Sequence, residues 1–87
     1  MDSKFTKKEI EDFYIYIGKK VKEERIKKKM TQLDLSLAMG YKSVSLVSAA
    51  EVANNGKHFN LEHLYKISKV LGISLCVLIP EESEITF

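Results

Sequence analysis

The sequence predicts an all-α fold, and three observations carry that reading. Apolar residues recur at the three- and four-residue spacing of helix faces and do not alternate as strand residues do. Only four glycines and one proline interrupt the 87 residues, which leaves long stretches free to be helical. Cap-type residues, Thr6, Thr31, Ser43, Asn60 and Ser74, stand ahead of five such stretches. With 45% hydrophobic and 30% charged side chains, the chain has enough material for one small core but not for two.

Each element follows from its own signals. Thr6 and Glu9 form a capping box, so the first helix is expected to begin near Lys7 and run to about Lys28, with Ile10, Phe13, Ile17 and Val21 facing inward. Gly18 weakens this helix without ending it. Thr31 caps a second helix from Gln32 to about Met39, in which Leu35, Ala38 and Met39 repeat at helical spacing, and Gly40 supplies the left-handed turn that stops it. Ser43 caps a third helix from Val44 to about Val52. Its Val47 and Ala50 share one face, while Ser45, Ser48 and Ala49 point elsewhere. Two short helices hinged at one glycine have the layout of a helix-turn-helix, the unit that lays its second helix in the major groove of DNA. Asn54, Asn55, Gly56 and Lys57 then mark a loop. Asn60 caps a fourth helix with Leu61, Leu64, Ile67, Val70 and Leu71 on its apolar face and Gly72 as its stop. Ser74 caps a short fifth helix that Pro80 prevents from continuing.

The net charge of +2 conceals an uneven distribution. Glu81, Glu82 and Glu84 fall in the last eight residues, so the first 79 hold all 14 basic side chains but only nine of the 12 acidic ones, a net of +5. Lys19, Lys20, Lys22, Arg25, Lys27, Lys28 and Lys29 crowd the later part of the first helix. They read either as a solvated face that favours the helix dipole or, beside a helix-turn-helix, as partners for phosphate. No apolar stretch is long enough to span a membrane, and the lysine-rich, acid-containing start is not a signal peptide. Cys76 is the only cysteine and lies within Leu75-Cys-Val-Leu-Ile79, so a buried structural thiol in a cytoplasmic protein is expected.

Separated segments then converge on one family. Ile17-Gly-Lys-Lys-Val-Lys-Glu-Glu-Arg25 is followed by Met30-Thr-Gln32, by Glu51, and by Asn60-Leu-Glu-His-Leu-Tyr-Lys-Ile-Ser-Lys-Val-Leu-Gly-Ile-Ser74. In these residues, from about Ile17 to Ile79, the chain resembles the XRE (Cro/C1-type) helix-turn-helix proteins, which include phage repressors, restriction-modification controllers and antitoxins. The resemblance implies a five-helix, lambda-repressor-like DNA-binding domain over residues 17–79. Residues 1–16 are an N-terminal extension continuous with helix 1, and residues 80–87 are an acidic tail.

The resemblance also implies roles. Arg25 and Glu51 match the pair that bridges helix 1 to the end of the recognition helix, and Gln32 matches the residue that holds a phosphate. Counted back from Glu51, the base-reading positions fall on Val44, Ser45 and Ala49. Of these only Ser45 hydrogen-bonds through its side chain, so reading would rest on serine hydroxyls, thymine-methyl contacts or DNA shape. Ser43 and Ser48 lie on the same serine-rich helix entry, and Lys42, Asn54, Asn55 and Lys57 are candidates for backbone contact. The segment from Gly40 to Glu51 is one residue longer than the commonest family spacing, and the loop from Val52 to Phe59 is also long. The expected function is that of a repressor-type regulator binding a palindromic double-stranded operator as a homodimer. The alternative is an antitoxin-like or phage-encoded module that uses the same fold to bind a protein such as a toxin.

Other chemistry finds little support. His58 and His63 lack the spacing and companion ligands of a zinc site, though His58 is a candidate neighbour of a phosphate. There is no phosphate-binding glycine loop, and no histidine stands near Ser43, Ser45 or Ser48 in sequence to activate them, so neither a cofactor nor an enzymatic role is expected. Phe5, Phe13, Tyr14, Ile15 and Tyr16 offer more apolar surface than one small core covers. Either they thicken the core or Ile15 and Tyr16 form a subunit contact. Leu75, Val77, Leu78, Ile85 and Phe87 offer a second such surface, and the family's habit of pairing near its C-terminal helices favours that end.

Overall fold

A computed structural model describes residues 4–81 of the chain. Five α-helices follow one another: α1 Lys7–Lys27, α2 Gln32–Ala38, α3 Ser45–Val52, α4 Leu61–Leu71 and α5 Leu75–Leu78, with a short 3-10 turn at Asn54–Gly56. No strand occurs among the described residues. No helix there is long and apolar enough to cross a membrane.

Thr6, Thr31, Asn60 and Ser74 cap helices where the sequence places them. Thr6 Oγ1 accepts from the Glu9 N–H at 3.0 Å, and Thr31 Oγ1 accepts from the Asp34 N–H at 3.0 Å while the Asp34 carboxylate takes the Thr31 N–H at 2.9 Å. Asn60 and Ser74 cap α4 and α5 in the same manner. Each cap satisfies an N–H that the helix leaves without an internal partner.

The core joins all five helices. Ile17 and Val21 from α1, Leu35 from α2 with Met39 just after it, Val47 and Ala50 from α3, Leu64, Ile67 and Leu71 from α4 and Leu78 from α5 are buried together. Phe59, expected only as the end of a loop, is also buried and carries the chain into α4.

Several sequence expectations are corrected. Ile10 is 46% exposed and Phe13 only half-buried, because the first turns of α1 run past the elements packed on it; its buried positions begin at Ile17. Leu61 is 74% exposed, since side chains on a helix lean toward its N-terminus and Leu61 is the first residue of α4. Ala38 is exposed while Ser36 is buried, its hydroxyl donating to the Ser43 carbonyl. Cys76 is exposed: in a helix of four residues Leu78 takes the inward position and Cys76 falls outside it. Of the surface proposed around α5, Leu78 is in the core, Leu75 packs against it and Val77 is exposed, while Ile85 and Phe87 lie outside the described residues.

Gly18 has a role that helix propensity does not reveal. A Cβ at this position would stand 2.4 Å from the Glu51 carbonyl oxygen and 2.7 Å from that of Ala50. α1 and the end of α3 therefore cross with their backbones nearly touching. Any side chain at residue 18 would force them apart.

Candidate nucleic-acid interface

The helix-turn-helix is held by local hydrogen bonds. After α2 the Gly40 N–H reaches the Leu37 carbonyl at 3.0 Å and the Tyr41 N–H reaches that of Ser36 at 3.0 Å, with Gly40 at a φ of +97°. The Ser36 hydroxyl ties the turn from inside by donating to the Ser43 carbonyl. The third helix departs from its expected start: α3 begins at Ser45 with Val44 in the cap position and no side-chain cap, and the Ser43 hydroxyl accepts only a long bond from the Ser45 N–H at 3.4 Å.

A buried ion pair sets the position of α3. Arg25 Nε donates to Glu51 Oε2 at 2.7 Å and Arg25 Nη2 donates to Glu51 Oε1 at 3.0 Å, a two-pronged pair in which the Glu51 side chain has no exposure. Arg25 Nη1 donates to the Met30 carbonyl at 2.8 Å, and Gln32 Nε2 donates to Glu51 Oε1 at 2.9 Å. The network joins α1, the turn after it, the start of α2 and the end of α3. It also directs the Gln32 side-chain donor inward, onto a carboxylate oxygen with a lone pair to fill. No buried side-chain nitrogen or oxygen lacks a hydrogen-bond partner among the described residues.

With its inner face fixed, α3 turns Ser45 and Val52 to the exterior and leaves Ser48 and Ala49 half-buried. The Ser48 hydroxyl donates to the Ser45 carbonyl at 3.2 Å, and the hydroxyls of Ser43 and Ser45 lie 3.2 Å apart. Ser45, Leu46 and Ala49 of α3 line one open cleft of about 330 Å³ with Gly56, Lys57, His58 and Asn60. The fold therefore brings Lys57 beside Ser45 and Ala49. Lys42 and Val44 are exposed in the turn, whereas Asn55 lines a different cleft, between the loop and the start of α1. The side chain of Asn54 lies outside the described residues. His58 and Asn60 were not placed beside α3 by sequence, because only the return of the loop into α4 brings them there.

The histidines have separate tasks. His63 completes the α4 cap: its Nδ1 accepts the Asn60 N–H at 3.0 Å, which requires the neutral ring. Burial holds the His63 pKa below the ordinary histidine value, with a smaller downward contribution from nearby Lys66 and His58 against the upward pull of Glu62. His58 stacks on Tyr14 of α1, ring centroids 3.6 Å apart and planes 10° from parallel.

Part of the basic charge on the later turns of α1 is neutralised. Lys27 pairs with Glu24 at 2.8 Å, a hydrogen bond that pulls the Glu24 carboxyl below its usual pKa, and Lys20 reaches Glu23 at 3.7 Å. Lys28, Lys29, Lys42 and Lys57 make no ion pair among the described residues.

A family profile described as Helix-turn-helix, of XRE type, matches residues 21–78. The chain belongs to that family. The matched span begins within α1 and ends at the last residue of α5, so it covers the turn, the Arg25–Glu51 pair and the cleft beside α3. No curated protein and no solved structure matched the chain. Membership makes this helix-turn-helix a DNA-binding regulator in the general sense of its family.

Proposed function

We propose that the protein is a sequence-specific transcriptional repressor of the cytoplasm, not an enzyme, that binds a palindromic operator as a homodimer with α3 in the major groove. The observation that carries this reading is the buried Arg25–Glu51–Gln32 network, which fixes α3 by its inner face and leaves Ser45 and Ala49 bordering an open cleft beside Lys57, which makes no ion pair among the described residues. Lys57, Lys42 and Asn55 serve phosphates, and Gln32, with one amide N–H engaged by Glu51, contributes its second N–H from the start of α2. Ser45, with methyl contacts from Val44 and Ala49, reads bases. A single short reading helix makes few base contacts, and two-fold symmetry doubles them.

A second reading, an antitoxin-like or phage-encoded module that binds a protein such as a toxin, draws support from apolar side chains exposed on the two helices of the helix-turn-helix and from the few polar groups on α3. Leu33 and Leu37 of α2 are 46% and 53% exposed, and Val52 of α3 is 61% exposed. One experiment separates the readings: anisotropy titration of the DNA upstream of the protein's own gene against a random duplex, with light scattering of the free protein. The regulator reading expects preference for the upstream DNA at physiological salt and a mass of about 20 kDa, twice the 10.0 kDa chain, from an interface large enough to persist at micromolar concentration. Equal binding to both duplexes favours the protein-binding module, and a mass of one chain at every concentration removes the solution dimer.

A further inference from the structure

The segment before the family match and the loop after α3 meet at one contact. The matched span starts at residue 21, whereas α1 starts at Lys7, so Tyr14 belongs to the added turns of the helix. Its ring lies flat against His58, and Phe13 meets the same ring edge-on at 5.6 Å. His58 stands between the exposed Lys57 and the buried Phe59. The loop that leads to it passes through three left-handed residues, Ala53 at a φ of 50°, Asn55 at 51° and Gly56 at 75°. Two of these are not glycine, and such a backbone persists where surrounding structure holds it.

We infer that Tyr14 is a positioning residue for DNA binding: its stack on His58 fixes the loop so that Lys57 stands on the cleft beside Ser45 and Ala49. The inference rests on the DNA reading above and adds to it a function for the N-terminal turns of α1. A lysine on a loosely held loop loses freedom when it meets a phosphate, whereas a lysine already in place does not, so the stack favours the contact by pre-ordering it. Lys57 touches the DNA; Tyr14 acts through it.

The test is the salt dependence of binding to the preferred duplex for Tyr14→Leu, which keeps apolar bulk but not the flat ring, for Tyr14→Phe, which keeps the ring, and for Lys57→Ala. Removing one phosphate contact lowers the slope of log affinity against log salt by roughly one unit. Tyr14→Leu is expected to weaken binding with a fall in slope approaching that of Lys57→Ala, to add little when combined with it, and to be rescued by Tyr14→Phe. In the free protein, the NMR signals of the His58 ring should be displaced by the Tyr14 ring current in wild type and Tyr14→Phe, and should relax in Tyr14→Leu. If Tyr14→Leu melts earlier yet keeps the wild-type slope, Tyr14 is only a packing residue and the inference is overturned while the DNA reading stands. If the wild-type protein shows no preference among duplexes, both are overturned.

Discussion

The two faces of α3 differ in how completely they are specified. The inner face presents Val47, Ala50 and Glu51, and each is constrained: two are in the core, and the third is held by three N–H donors from Arg25 and Gln32. The backbone behind them fits only because residue 18 has no side chain. The outer face presents Ser45, Ser48, Ala49 and Val52; the Ser45 hydroxyl accepts from that of Ser43 in the turn, and the Ser48 hydroxyl donates to the Ser45 carbonyl. The contrast separates presentation from recognition. The frame fixes where α3 lies, and the outer face can change without disturbing it.

The largest effect is expected from breaking the frame electrostatically. Arg25→Ala leaves the buried Glu51 carboxylate without its main partner, and stranding one member of such a pair costs about 3–5 kcal/mol. Lys22→Ala, on the exposed side of α1, should fall within about 0.5 kcal/mol of wild type. Thermal or urea unfolding of both variants measures the gap. Equal midpoints would show that the pair does not hold the frame.

Gly18→Ala attacks the same crossing sterically. Its new methyl group would meet backbone and not a yielding side chain, so α1 and α3 must separate, at a cost of about 1–3 kcal/mol as for other overpacked sites. In an isolated helix the same change would be favourable by about 1 kcal/mol. The sign of the measured change therefore shows whether the crossing or the helix propensity dominates, and stabilisation would contradict the close approach.

A smaller effect concerns the α4 cap, away from both faces of α3. Because the folded protein holds the His63 pKa below its ordinary value of 6.5, the unfolded chain binds the proton more readily. Stability from this group is complete above pH 6.5 and is lost as pH falls through the lower folded pKa. Glutamine at the same position can still serve a capping box, so His63→Gln should flatten the decline in melting temperature between about pH 7 and pH 5.5, above the carboxylate range. An unchanged decline in His63→Gln would place the titration elsewhere.

What the sequence made legible follows the range of each signal. Thr31, Asn60, Ser74 and Gly40 act within a few residues of themselves, and their caps and turn occur as read. The Arg25–Glu51 pair is non-local, and the family resemblance supplied it. Gly18 read only as a weak point in a helix, because its meaning depends on which backbone crosses it. Cys76 was misplaced because a helix of four residues has too little periodicity to define its sides. His63 was overlooked as a cap partner because that position is ordinarily Glu or Gln. At the candidate interface, sequence placed Ser45 and Ala49 on α3 and Lys57 in the loop, but neither their shared cleft nor the Tyr14–His58 stack has a local signature.

The most direct test of the outer face as a DNA-reading surface is an anisotropy titration of Ser45→Ala and Lys57→Ala against the preferred and a random duplex over a range of salt. The account predicts that Lys57→Ala weakens binding to both duplexes and lowers the salt slope by roughly one unit, since one phosphate contact is lost. Ser45→Ala should cost on the order of 1 kcal/mol on the preferred duplex and little on the random one. If neither substitution changes DNA affinity at physiological salt, this face does not read DNA and the account is contradicted.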